Sequence, residues 1–114
     1  MSIRGVGIDI VETKRFIPFA KDRKNRFLSN NFTADERTYC FSFKNPEAHL
    51  AGIFAAKESV CKAFGKRDLL CSAVEIRHEK NGMPTAWIKG RRQRSIFVSI
   101  SHEKTVAVGV ALKI

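Results

Sequence analysis

The stretch from Asn45-Pro46 to Phe64-Gly65 limits what this chain can become more than any other. Asparagine is a favoured helix N-cap. Proline is tolerated in the first turn, where its missing N–H has no intrahelical partner, and glycine readily takes the left-handed conformation that ends a helix. This punctuation predicts the longest helix of the chain over 46–64. On a helical wheel Leu50, Ile53, Phe54, Val60, Cys61 and Phe64 gather on one side, with Lys57 in its middle. A lysine stem can cover apolar surface while its ammonium reaches water, but a central lysine costs stability compared with leucine. The Lys57 ammonium is therefore expected to have a role. Glu58 and Lys62 lie on the flank of the stripe, beside Ala51 and Ala55, whose small side chains would let a ligand approach. By itself a Glu-Lys pair one turn apart is an ordinary surface contact, worth a few tenths of a kcal/mol.

The other elements follow from period and punctuation. Residues 3–11 read as a strand with Val6, Ile8 and Ile10 on one face and Gly5, Gly7 and Asp9 on the other, the glycines leaving room beside Asp9. Residues 12–20 suggest a short basic helix, and 21–31 a polar, basic connection with little core. Thr33-Ala-Asp-Glu36 has the form of a capping box, starting a short helix that runs to about Phe41. Beyond Gly65 the pattern becomes strands: 71–78, a tight turn at Asn81-Gly82, 85–89, a basic connector Arg91-Arg92-Gln93-Arg94, then 96–101 and 106–113 around a turn. The expected fold is α+β: an N-terminal strand, a helical segment with one long helix, then an antiparallel four-strand meander.

At 114 residues and 44% hydrophobic, the chain is expected to form a single domain over 1–114 around one modest core. No apolar run approaches the roughly 20 residues that span a bilayer, and no signal-peptide pattern opens the chain, so a cytoplasmic protein without membrane contact is expected. Cys40, Cys61 and Cys71 are odd in number and lack Cys-x-x-Cys spacing, which argues against a disulfide framework or a zinc site; Cys61 and Cys71 read as small buried hydrophobes. The net charge of +10 favours an anionic partner without naming one.

Asp9 carries the chemistry. An aspartate inside an apolar strand is costly to bury unless it meets a cation or donors. Arg4 or Arg15 could pair with it. One Asp and one Glu sharing an ion also fits Mg²⁺, which takes one or two protein carboxylates and fills its octahedron with water and phosphate oxygens. Lys57 and Lys62 would then meet the remaining phosphate oxygens as point charges. His102, at a strand end with Ser99, Ser101 and Lys104 nearby, is a further candidate for phosphate; His49 and His78 have no such company.

Three blocks in order, Gly5-Val-Gly-Ile-Asp9-Ile-Val-Glu12, Phe54-Ala-Ala-Lys57-Glu58-Ser59 with Lys62-Ala-Phe-Gly65, and Ser99-Ile-Ser101-His102, resemble those of the holo-acyl-carrier-protein synthases, the short 4′-phosphopantetheinyl transferases. Arg26-Phe-Leu, Phe32-Thr33, Glu36-Arg37, Tyr39-Cys40 and Gly82-Met-Pro84 extend the likeness over nearly the whole chain. The resemblance implies Mg²⁺-dependent transfer of 4′-phosphopantetheine from coenzyme A to a serine of an apo acyl carrier protein, releasing adenosine 3′,5′-bisphosphate, and a place in fatty-acid biosynthesis. It implies Asp9 and Glu58 as metal ligands, with Asp9, Glu58 and Lys62 catalytic. It implies Lys57, Lys62, Gly65, Lys66, Pro84, Ser101 and His102 along coenzyme A, and Lys14, Arg15, Lys21, Arg23, Lys24 and Arg26 against an acidic carrier. The serine proton would pass to Glu58 or to a metal-bound water. The resemblance further implies a homotrimer whose sites are shared between neighbours.

The chain departs from that pattern at Ile53, where an arginine is usual, at Gly65-Lys66-Arg67, which replaces a Gly-Thr-Gly turn, and at the shortened segment 90–94. Lys66 and Arg67 are expected to bind the phosphates in place of that arginine and turn. Two other classes compete: a small basic nucleic-acid-binding domain, which leaves Asp9 and Glu58 unexplained, and a Mg²⁺-dependent nucleotide pyrophosphate hydrolase, which would need no carrier protein.

Overall fold

The computed structural model describes residues 2–65 and 69–114. Strand β1 (Gly5–Glu12) leads through a 3-10 turn (Thr13–Phe16) to α1 (Ile17–Ala20), α2 (Arg26–Asn31), α3 (Ala34–Phe41) and the long α4 (Pro46–Phe64). A second 3-10 turn (Cys71–Ala73) precedes β2 (Val74–His78), β3 (Pro84–Ile88), β4 (Arg91–Arg92), β5 (Ile96–His102) and β6 (Val106–Lys113). The fold is α+β. The strands form two antiparallel sheets, β1-β6-β5 and β2-β3-β4, instead of one meander: β1 returns to pair with β6 along its full length, from Gly5 opposite Lys113 to Glu12 opposite Val106. Arg91-Arg92, read as a connector, forms the short β4. No described helix is long and apolar enough to cross a membrane.

Helix α4 begins and ends where its punctuation places it. Pro46 occupies the first turn, and Gly65 closes the helix in the left-handed region at φ 60°, although the Asn45 side chain makes no cap bond. The α3 capping box forms with both of its bonds. Residues 12–20 form two single turns in place of one basic helix. Residues 21–31, expected to lack core, contain α2: the Asn25 side chain accepts from Phe27 N, and Leu28 is fully buried. Phe27 joins Phe16, Phe19, Phe32 and Phe54 in one aromatic cluster that seats this basic segment on α4.

The two faces of β1 meet unlike surroundings. The glycine face packs on α4, while Val6, Ile8 and Ile10 face outward, each at least 60% exposed. A Cβ at Gly5 would overlap the Ala63 carbonyl, and one at Gly7 the Ser59 carbonyl; at Gly109, opposite Asp9, it would meet the backbone of Ala55. The room is therefore taken by the helix itself, and Ala51 and Ala55 are buried under the sheet and not open to a ligand. Gly52, on another side of α4, would bring its Cβ only against the Ile100 side chain, at 3.0 Å. Gly7→Ala is expected to cost about 3 kcal/mol or more in urea denaturation, because backbone must move. Gly52→Ala should stay within about 1 kcal/mol of the parent, its added methyl offset by better helix propensity.

Candidate active site

Lys62 leaves the flank of α4 and crosses to β1. Its ammonium donates to the Ile8 carbonyl at 2.9 Å and to Asp9 Oδ1 at 3.2 Å. Among the described residues neither expected arginine partner takes Asp9; its ion-pair partner is Lys62. The glycine-lined contact explains this reach: with Gly7 against Ser59 and Gly109 against Ala55, Asp9 lies level with the middle of α4. Glu58, one turn before Lys62, turns its Oε2 to the Cys71 thiol at 2.7 Å. Asp9, Lys62, Ile8, Ile10 and Val108 line a concavity of about 260 Å³ at the β1 edge, opening onto the exposed apolar face.

Lys57 is not brought to this cluster. Its ammonium is buried and donates to Glu36 Oε1 at 2.7 Å and to the Asn31 carbonyl at 2.6 Å. The ammonium expected to meet phosphate oxygens is instead held in an ion pair across the core, with no exposed face to offer. Glu36 is buried too, and its carboxylate also accepts from Thr33 N at 2.9 Å and Ile76 N at 2.7 Å, joining α3, α4 and β2. Burial pushes its carboxyl above the ordinary value, against the opposing pull of Lys57, Ile76 and Thr33.

A second cluster forms at the other edge of the sheet. His102, at the end of β5, meets His49 of α4 with ring centroids 5.2 Å apart. His49 stacks on Phe43 at 3.6 Å, and His78 on Tyr39 at 4.0 Å. Together with Gly52, Ile53 and Pro84, the histidines and Tyr39 line a pocket of about 190 Å³. Burial, then the neighbouring His102 and His78, hold His49 below the usual imidazole value, and burial does the same to His78. Sequence reasoning gives His49 and His78 no role; the β2–β3 hairpin closing over α4 brings them there. Ser101 is exposed beside His102, and Gly65 is exposed at the end of α4. Lys66 and Arg67 lie outside the described residues.

The basic residues Lys14, Arg15, Lys21, Arg23, Lys24 and Arg26 are all exposed, between β1 and the start of α2. Arg15 lies over Phe16 and Phe54 at 5.8 and 5.5 Å, and Arg23 over Phe41 at 4.3 Å, so aromatic rings anchor two of the charges.

Comparison with known proteins gives one consistent result. The sequence model described as the 4′-phosphopantetheinyl transferase superfamily matches residues 5–111. A protein of Thermodesulfovibrio yellowstonii named holo-[acyl-carrier-protein] synthase is 43% identical over 107 residues, covering 93% of this chain and 94% of that one. A protein of Chlamydia trachomatis serovar L2 with the same name is 38% identical over 115 residues, covering 95% and 97%. Among solved structures, a holo-(acyl-carrier-protein) synthase of Bacillus anthracis in complex with CoA (3′,5′-ADP) aligns with a TM-score of 0.80 at 29% identity, covering 97% and 96%. The Helicobacter pylori holo-[acyl-carrier-protein] synthase in complex with coenzyme A aligns at 0.79 with 25% identity, covering 96% and 99%.

Removing one partner of the Lys57–Glu36 pair leaves a buried charge alone. Lys57→Met should cost about 3–5 kcal/mol in denaturant unfolding. Adding Glu36→Gln, which keeps the capping box, should recover part of that loss; a double variant as unstable as the sum of the two single ones would contradict the pairing.

Proposed function

The chain belongs to the 4′-phosphopantetheinyl transferase superfamily, and on that premise we propose that it is a holo-[acyl-carrier-protein] synthase, moving 4′-phosphopantetheine from coenzyme A to a serine of an apo acyl carrier protein. The observation that carries this reading is the Lys62–Asp9 pair, formed one helical turn from Glu58 across the glycine-lined contact of α4 with β1. In the reaction the serine oxygen bonds to the pantetheine-side phosphorus, and the nucleotide side leaves as adenosine 3′,5′-bisphosphate.

Asp9 and Glu58 offer carboxylate oxygens alone. Among the described residues Asp9 has one ammonium partner, and it keeps about a fifth of its side chain exposed, a donor set that fits a hard ion such as Mg²⁺. When bound there, such an ion would supply charge neutralisation for the pyrophosphate. Lys62, more than half exposed and fixed by the Ile8 carbonyl, would turn its free N–H toward phosphate oxygens. Glu58, already a hydrogen-bond acceptor, is the group of this chain that would take the serine proton. The pocket of His102 and Pro84, with Ser101 beside it, would receive the nucleotide portion, and Gly65, at the end of α4 beyond Lys62, would line coenzyme A on the Asp9 side. Lys57 serves the fold, not the phosphates. The exposed run of Lys14, Arg15, Lys21, Arg23 and Arg26 would dock the acidic carrier, with long-range attraction speeding encounter.

The Asp9 cluster and the His102 pocket sit on opposite edge strands of β1-β6-β5 and share no lining residue. A neighbouring copy would bring the missing half to each. Between these edges Val6, Leu112 and Phe97 align across the sheet, as do Ile8 with Val110 and Ile10 with Val108, forming a continuous outward apolar face. Such a face on a chain of this size fits a cyclic homotrimer that buries it around the axis. A cytoplasmic location and a place in fatty-acid biosynthesis are part of the same proposal.

Incubation with coenzyme A, Mg²⁺ and an apo carrier should add one phosphopantetheine to the carrier by mass spectrometry; an unmodified carrier with folded enzyme contradicts the proposal. Asp9→Asn should lower kcat/KM at least about 100-fold, roughly 3 kcal/mol of transition-state stabilisation. Arg15→Glu should raise the carrier KM about tenfold and leave the coenzyme A KM within about twofold. Light scattering should give three chains per particle, and Ile8→Asp should yield smaller, inactive particles; a fully active monomer would refute the shared site.

A further inference from the structure

Glu58 of the proposed chemistry converges with two groups outside it, Cys61 and Cys71. Glu58 and Cys61, three residues apart, share one helix face, and Cys71 approaches them from the 3-10 turn before β2. One carboxylate oxygen and the two sulfurs all lie within 4.8 Å of one another, and Cys71 Sγ is already 2.7 Å from Glu58 Oε2. Cys61 is buried, whereas Glu58 and Cys71 keep partial exposure, so the cluster opens to solvent on one side. The third cysteine, Cys40, is buried on α3, away from this cluster.

We infer that Glu58, Cys61 and Cys71 form a second cation site, for a thiophilic divalent ion of the Zn²⁺ class, and that this ion competes for Glu58 with the oxygen-only site beside Asp9. Two sulfurs and one oxygen are a poor set for Mg²⁺ and a good one for Zn²⁺. Tetrahedral Zn²⁺ with Zn–S of about 2.3 Å and Zn–O of about 2.1 Å sets its ligand atoms roughly 3.5–3.8 Å apart. Small side-chain rotations bring the three groups to that spacing, with solvent completing the fourth position. Each thiol gives its proton to solvent as the ion binds. Glu58 already rests against Cys71, so occupancy by the soft ion would hold its carboxylate there and keep it from a site beside Asp9. The binding site stands on its own geometry; its effect on transfer rests on the proposed function.

The test uses the reduced full-length chain, free of other metals, titrated with Co²⁺ as a spectroscopic stand-in. One equivalent should bind with intense thiolate-to-cobalt charge-transfer absorption, and Zn²⁺ should displace it. Cys71→Ala, checked for folding by circular dichroism, should lose the charge-transfer band and bind at least about tenfold more weakly. Glu58→Gln should keep a thiolate band at reduced affinity, and it carries the test if Cys71→Ala does not fold. Absence of the band at excess Co²⁺, unchanged binding by Cys71→Ala, or a Cys61–Cys71 disulfide as the sole response would overturn the site. In a second arm Zn²⁺ should inhibit transfer at saturating Mg²⁺, and Cys71→Ala should resist that inhibition. A chain that never modifies the carrier defeats the proposed function, while the cobalt titration still decides the cation site.

Discussion

Helix α4 lies against β1 and β6 at a distance that only glycine permits, with Gly5, Gly7 and Gly109 meeting the helix backbone at Ala63, Ser59 and Ala55. Ordinary helix-on-sheet packing inserts a layer of side chains between the two backbones. Here that layer is absent at the three glycines, kept small at Ala107 and Ala111 beside them, and thinned to Ala and Ser on the helix side. The flank of α4 is thereby drawn close enough for Lys62 to reach both the backbone and the side chain of the strand, and Asp9 becomes a part-exposed carboxylate at an edge instead of an unpaired core charge. The same contact turns the branched residues of β1 outward. One packing choice thus produces both the polar cluster and the apolar face beside it.

The second fixed point is the ion pair of Lys57 with Glu36. One buried carboxylate caps α3, binds the ammonium of α4 and holds the N–H of Ile76 in β2. A buried pair adds little net stability compared with well-packed apolar residues, yet losing either partner is costly. Its geometry ties three elements in one arrangement. Neighbouring lysines of the same helix therefore do unlike work, Lys57 toward the core and Lys62 toward the β1 edge.

What the sequence reveals depends on how local the controlling interaction is. Helix α4 is readable to the residue because Pro46 and Gly65 act on their own backbone, and the Thr33–Glu36 box because its bonds span one turn. Helix α2 escapes such a reading because the basic residues of 21–26 mask the Asn25 cap and the Phe27-Leu28 pair that follows. The pairing of β1 with β6 joins the two ends of the chain, and no local pattern announces it, so local signals suggest a meander. Asp9 stands out as a carboxylate in a strand, but its partner lies 53 residues away. Reading the glycines as empty space has the right location and the wrong occupant. His49 and His78 meet His102 only through tertiary contacts, which periodicity cannot express.

We propose that each site is completed by a neighbour, with the Asp9 half at the β1 edge and the His102 half at the β5 edge. Subunit complementation tests it most directly. Asp9→Asn and His102→Ala, each severely impaired alone, would be co-expressed and purified as mixed particles. Random assembly should restore roughly a quarter of wild-type sites, and transfer activity with them, because an intact Asp9 on one chain then faces an intact His102 on the next. Mixed particles no more active than the two variants measured separately would contradict the account.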